Sequence, residues 1–191
     1  MSTIIPEDKH RKTLETCVDV PEEPPSFPIR ITKVGISGKT VWVRLTDHGG
    51  GYLPFKAKIL VDLDAKRRGI HMSRIEQEIT SLHDRQFNSL PEYGNLLSSR
   101  VLARQNARSL SLELTGQLPF IQQTPVTKIN SIDSIEVSCK TVLEAKKTGK
   151  SLQTEIGIGM HHLTACPCTI SYNEALFNRF NDSCPQATHS Q

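Results

Sequence analysis

Between residues 135 and 160 the chain carries two runs of period-two hydrophobicity that only an extended backbone can use. Ile135, Val137, Cys139, Thr141, Leu143 and Ala145 alternate with Ser138, Lys140, Val142, Glu144 and Lys146, and Leu152, Thr154, Ile156, Ile158 and Met160 repeat the pattern. Successive strand side chains point to opposite faces, so each run offers one apolar face to a core. Lys147-Thr148-Gly149-Lys150 lies between them, and its glycine supplies the positive φ that a tight reversal needs. A long antiparallel hairpin is the expected result.

The remaining elements fit around that hairpin. Ile29 to Lys33 and Thr40 to Thr46 read as two strands, with Val41, Val43 and Leu45 on one face and Trp42 and Arg44 on the other, joined by a turn at Gly35-Ile36-Ser37-Gly38. Gly49-Gly50-Gly51 ends that stretch, Lys56 to Leu63 forms the next strand, and Ser109 to Leu114 alternates again. Ser73 and Glu76 stand three apart ahead of Ile75, Ile79 and Leu82, which predicts a capping box and a helix from Arg74 to about Gln86. After a break at Leu90-Pro91, Asn95 to Ala107 reads as a second helix. Strands, two helices, then strands predict an α+β fold: an antiparallel sheet with its helices on one face. Five prolines (Pro6, Pro21, Pro24, Pro25, Pro28) make residues 1–28 an extended arm in this reading.

The 191 residues suffice for one domain or slightly more, and 37% hydrophobic with 23% charged residues excludes a disordered or fibrous chain. A net charge of +3 with scattered basic residues gives no nucleic-acid footprint, and no apolar run is long enough to span a membrane. The opening residues lack the apolar core of a signal peptide, so a cytoplasmic protein is expected. Five cysteines are an odd count for a disulfide framework and read better as free thiols or metal ligands.

Several motifs carry chemistry. Gly35-Ile36-Ser37-Gly38-Lys39-Thr40 imitates the end of a phosphate-binding loop, but Lys33 stands where its first glycine belongs and a strand, not a helix, follows. His71, Ser73 and Arg74 sit at a predicted helix N-terminus, where backbone N–H groups and the dipole favour an anion; an ordinary capped helix with solvent-facing side chains is the alternative. Lys66-Arg67-Arg68 either steers a polyphosphate or is a solvated basic turn. His161 and His162 end the hairpin on opposite faces, so they do not share one metal in regular strand geometry. Cys166-Pro167-Cys168 lacks the two-residue spacing of zinc ribbons, which leaves one thiolate as metal ligand or nucleophile with the other as its neighbour, or a buried inert pair. His189 approaches the first thiol only if an intervening helix, about Tyr172 to Phe180, folds back, and Cys184 between them is incidental.

Four segments in this order resemble the type IB GTP cyclohydrolases and their archaeal iron-dependent relatives: Ile31-Thr32-Lys33-Val34-Gly35-Ile36; Val61-Asp62-Leu63 with Gly69-Ile70-His71-Met72-Ser73-Arg74; Leu163-Thr164-Ala165-Cys166-Pro167-Cys168; and Ala187-Thr188-His189-Ser190-Gln191. The resemblance implies a tunnelling fold, with residues 29–164 as its first module and residues 165–191 as a metal-site loop opening a second. It implies hydrolytic opening of the GTP imidazole ring, release of formate, and dihydroneopterin triphosphate or a cyclic phosphate as product. It further implies a homo-oligomer, a tetramer in the family, and a divalent metal, variously Zn2+, Mn2+ or Fe2+. Cys166 then corresponds to the catalytic and metal-binding cysteine and His189 to a histidine ligand. Cys168 becomes a supporting neighbour of the metal, and His71, Ser73 and Arg74 become substrate or interface contacts. Family members continue past the position of Gln191 with two functional glutamates and a later histidine, so a truncated form is expected. Ser190 stands where asparagine is more usual.

Two other function classes compete with the enzyme: a catalytically inactive tunnelling-fold protein acting through partners, and a thiol-based redox or metal sensor.

Overall fold

The computed structural model describes residues 6–123, 128–146, 149–161 and 167–180. The chain divides into a unit spanning residues 1–158 and a second spanning residues 159–191. The described part of the second unit is essentially one helix, α4 (Pro167–Phe180), which begins five residues earlier than the sequence suggests.

The first unit is a mixed α+β structure built on an antiparallel-rich sheet. Its strands are β1 (Ile31–Leu45), β2 (Tyr52–Leu63), β3 (Gln86–Phe87), β4 (Ser109–Gln123), β5 (Asn130–Lys146) and β6 (Gly149–Gly159), in the order β3-β1-β2-β4-β5-β6. Two helices, α2 (Met72–Ser81) and α3 (Leu90–Gln105), interrupt the strands between β2 and β4. The register explains why the alternating residues share one core. Val61 lies opposite Leu110, which lies opposite Leu143; Ile59, Leu112 and Thr141 form the next row, and Ala57, Leu114 and Cys139 the one after. Directly opposed residues of an antiparallel pair point to the same face, so these rows make one continuous apolar surface, and all nine residues are buried on it.

Helix α3 covers that surface through Leu90, Tyr93, Leu97, Val101 and Leu102. Gly94 lets it approach closely, because a Cβ there would lie 3.3 Å from Thr141 Oγ1 and 3.6 Å from Cys139 Sγ. The neighbouring Asn95 Oδ1 accepts hydrogen bonds from the Thr141 and Thr154 hydroxyls, tying the helix to β5 and β6. Phe87 meets Tyr93 edge-on at 5.2 Å, which holds the short β3 parallel to the end of β1. Along β4 and β5 the burial fades beyond Leu114 and Cys139, and Phe120, Ile156 and Ile158 are exposed.

The expected hairpin is present, with Gly149 at φ 139°; residues 147–148 lie outside the described set. Lys140 pairs with Glu155, and Ser138 faces Gly157, so β5 and β6 run in opposite directions. Other expectations change. The two strands read around Gly35 to Gly38 are one strand, β1, with a register shift between Ile36 and Lys39 opposite β2. Gly38 uses its positive φ of 74° inside this bulge instead of in a turn. Gly35 is required for a different reason: a Cβ there would fall 1.9 Å from the Ile59 carbonyl oxygen.

The predicted capping box at Ser73 and Glu76 does not form. Helix α2 starts two residues earlier, behind His71, with no side-chain cap; Ser73 is exposed and Glu76 instead pairs with Lys39 at 2.7 Å. A cap does form at α3, where Ser89 Oγ accepts from Glu92 N and Glu92 Oε2 accepts from Asn88 N. Pro91, read as a break, occupies the first turn of α3, where a missing N–H costs nothing. The arm is not extended throughout: Glu7–Thr16 form helix α1 in a stretch with no proline after Pro6, followed by a 3-10 turn over Val20–Glu22.

Candidate functional site at the start of helix α2

The β2–α2 connection carries Lys66-Arg67-Arg68-Gly69-Ile70-His71, and the structure shows what holds it. Asp62, near the end of β2, keeps a side chain only 5% exposed, and its Oδ1 accepts from the backbone N–H groups of Arg108 and Ser109 at 2.7 and 2.8 Å. Its Oδ2 accepts from Arg30 Nη2 at 3.1 Å. Burial opposes ionisation of this carboxyl, but the donors from Ser109, Arg108 and Arg30 outweigh it and hold the pKa below the usual carboxylate range. The acidic residue of the Val61-Asp62-Leu63 segment is thus a brace between β2, the start of β4 and the residue that precedes β1.

His71 is 8% exposed. Its backbone N–H donates to Gln105 Oε1, and its carbonyl accepts from Gln105 Nε2 at 2.7 Å, so a fully buried amide from the end of α3 fixes the residue that opens α2. The imidazole points to the arm, with Nε2 at 2.8 Å from Glu22 Oε1 and Nδ1 at 3.5 Å from Asp19 Oδ1. Arg74, one turn along, lies 3.6 Å from Asp19 and 4.0 Å from Glu22.

Arg67 reaches the same carboxylate at 3.0 Å and donates to the Gln105 carbonyl at 2.6 Å; its Nε is buried without a hydrogen-bond partner. It is therefore neither a free phosphate-steering cation nor a solvated turn residue. Arg68 pairs with Glu23 at 2.6 Å. The hydrogen bond from His71, assisted by the positive charges of Arg67 and Arg74, lowers the Glu22 pKa against a smaller opposing effect of burial.

His71 and Arg74 thus converge on one cluster with Asp19, Glu22 and Arg67, while Ser73 stands exposed beside it. Asp19, Glu22 and His71 each present a ligand atom within 4.8 Å of the others, an arrangement of oxygen and imidazole donors that could take a divalent cation. With two guanidiniums on the same carboxylates, the charge is already balanced and the arrangement is an ion-pair network. The sequence pattern singled out His71 and Arg74 but gave no sign of Asp19, Glu22 or Gln105, which lie far away along the chain; Glu22 and His71 are 49 residues apart.

Cys168 is an exposed free thiol on α4, and Cys17 and Cys139 are also unpaired. His161 is exposed just past β6. Cys166, His189, His162 and Cys184 lie outside the described residues. Among the described helices, none is long and apolar enough to cross a membrane.

Comparison with known proteins gives this site its context. GTP cyclohydrolase MptA of Methanothermobacter thermautotrophicus is 28% identical over 159 residues, covering 78% of this chain and 49% of the relative. The MptA of Methanobrevibacter smithii is 24% identical over 157 residues, 78% of this chain and 50% of the relative. GTP cyclohydrolase FolE2 of Thermotoga neapolitana is 28% identical over 153 residues, 79% of this chain and 56% of the relative. The chain spans about half the length of these curated relatives. A family model described as type I GTP cyclohydrolase FolE2 matches residues 17–191, from the end of helix α1 onward. On that match, the chain belongs to the type I GTP cyclohydrolase FolE2 family.

Proposed function

We propose that this chain is part of a metal-dependent GTP cyclohydrolase that opens the imidazole ring of GTP by hydrolysis and releases formate. The product is dihydroneopterin triphosphate or its cyclic phosphate. The family match over residues 17–191, a span that includes Gly69–Arg74 and Cys166-Pro167-Cys168, is the observation that carries the reading. The relatives' shared description as GTP cyclohydrolases supports the substrate.

Cys166 and His189 would hold the metal. A thiolate and an imidazole are a donor pair suited to zinc and iron(II), so the residue types fit such an ion. When bound, a divalent metal supplies a water acidified toward neutral pH, the nucleophile needed at the carbon between the imidazole nitrogens of the purine. The chain's own contribution at α2 is binding. His71, held at its backbone by Gln105, offers an imidazole, Arg74 a guanidinium and Ser73 a hydroxyl for the triphosphate of the substrate. Cys168, two residues further along the chain, would support Cys166 as its neighbour. We read the mixed α+β unit, with its antiparallel-rich sheet, as a tunnelling-fold module, and the uncovered apolar side chains of Phe120, Ile156 and Ile158 favour a homo-oligomer.

The test uses the full-length gene product with GTP and, in separate reactions, Mn2+, Zn2+ or anaerobic Fe2+. Fluorescence of the oxidised pterin is expected with at least one metal and is expected to vanish in Cys166→Ser. A metal-loaded, folded protein that yields no pterin would refute the activity.

A further inference from the structure

The arm reaches the start of α2 without entering the core. No residue of α1 or of the 3-10 turn is buried, and Leu14, Val18, Phe27 and Ile29 remain exposed. Its fastening at α2 is polar: Asp19 and Glu22 face Arg74, His71 and Arg67, Glu23 faces Arg68, and the Pro21 carbonyl accepts the backbone N–H groups of Arg68 and Gly69 at 3.1 and 3.3 Å. Contacts of this kind, exposed on the arm side, are weakened by salt and exchange readily with other anions.

We propose that residues 19–23 are an autoinhibitory strap, whose Asp19 and Glu22 carboxylates occupy the imidazole and guanidinium groups that the substrate's phosphates would engage. The inference rests on the reading of His71 and Arg74 as substrate contacts. Both carboxylates are supplied by one short segment and both are directed at the same two side chains. An anion arriving at Arg74 therefore competes with a tethered one, and the apparent affinity is reduced by the fraction of molecules with the strap in place. Arg67, largely buried and anchored on the Gln105 carbonyl, stays behind when the strap leaves and adds its charge to the vacated surface.

The experiment follows the strap and the anion separately, on the intact chain. Hydrogen exchange at the Arg68 and Gly69 amides reports whether Pro21 is docked, and calorimetry reports binding of inorganic triphosphate. In D19N/E22Q, the two amides are expected to exchange faster and triphosphate to bind roughly tenfold more tightly, a coupling of ordinary size for linked sites. Saturating triphosphate should also speed the same amides in the wild-type chain.

Neutralising two carboxylates on α1, E7Q/D8N, serves as the control for a general charge effect and should change neither quantity. Unchanged exchange in D19N/E22Q overturns the strap. So does faster exchange with unaltered affinity, equal tightening in the control, or triphosphate binding that leaves the wild-type amides protected. Arg74→Ala tests the underlying reading. If it weakens triphosphate binding while D19N/E22Q is neutral, only the strap fails; if it leaves binding unaltered, α2 is not the phosphate contact and both ideas fall.

Discussion

Removing the Asp62 carboxylate should be among the most damaging single changes away from the apolar core. In Asp62→Ala the backbone N–H groups of Arg108 and Ser109 lose their acceptor at the point where β4 begins. Leaving a buried donor unsatisfied costs about 1–3 kcal/mol, so two give roughly 2–5 kcal/mol once some relaxation is allowed. For a chain of this length that lowers Tm by about 10 °C. Asp62→Asn keeps an amide oxygen for the two N–H groups and forfeits chiefly the Arg30 contact. Because the Arg30 side chain is 54% exposed, water replaces that partner and the cost falls to about 1 kcal/mol.

The two variants also differ from wild type in their response to acid. The folded carboxyl has a lowered pKa, so on acidification the unfolded chain takes up its proton first. The stabilisation is complete above the ordinary carboxylate range, near pH ~4, and is lost as pH falls through the folded value. Urea unfolding from pH 7 down to pH 3 should show wild type losing stability more steeply than Asp62→Asn at the acid end. An alanine variant within 1 kcal/mol of wild type, or an asparagine variant with the wild-type acid slope, would refute the brace.

Gly35→Ala should lose several kcal/mol or fail to fold, since the clash with the Ile59 carbonyl involves backbone and has no flexible end to move; soluble yield and urea midpoint decide it. Ser89→Ala should cost ~1 kcal/mol by removing the α3 cap, read from the urea midpoint, whereas Ser73→Ala should leave stability nearly unchanged. Burial raises the pKa of the Cys139 thiol, which also sits under Gly94, so it should react with a thiol reagent far more slowly than Cys17 or Cys168 until the chain is unfolded.

The sheet was legible wherever a face repeats every second residue, as in Val41-Val43-Leu45, Leu110-Leu112-Leu114 and the hairpin from Ile135 to Met160. Local punctuation was harder to interpret. Gly38 has the backbone of a turn residue, yet pairing on both sides with β2 keeps the strand continuous through a bulge. Ser73-Arg74-Ile75-Glu76 and Ser89-Leu90-Pro91-Glu92 carry the same cap pattern. Only the second is used, because α2 begins behind His71 and so places Ser73 inside its first turn, while Ser89 stands at the N-cap of α3 and Glu92 reaches back to Asn88.

The motif around His71 marked a special place, but its partners come from the arm and from the end of α3, and nothing local in a sequence announces contacts across such separations. Helix α1 is hidden from a reading built on prolines because its ten residues, between Pro6 and Pro21, contain none.

The two margins of the sheet are unlike. On one side β3 offers two residues, held parallel to β1 beneath Arg44 and Leu45, too short a ledge for another strand to climb. On the other, β6 leaves the outward-facing donors and acceptors of eleven residues unclaimed among the described strands, beside side chains such as Leu152 and Ile156. That margin offers another strand a long edge to join. If two copies meet there around a twofold axis, each fills the other's vacancy at this margin.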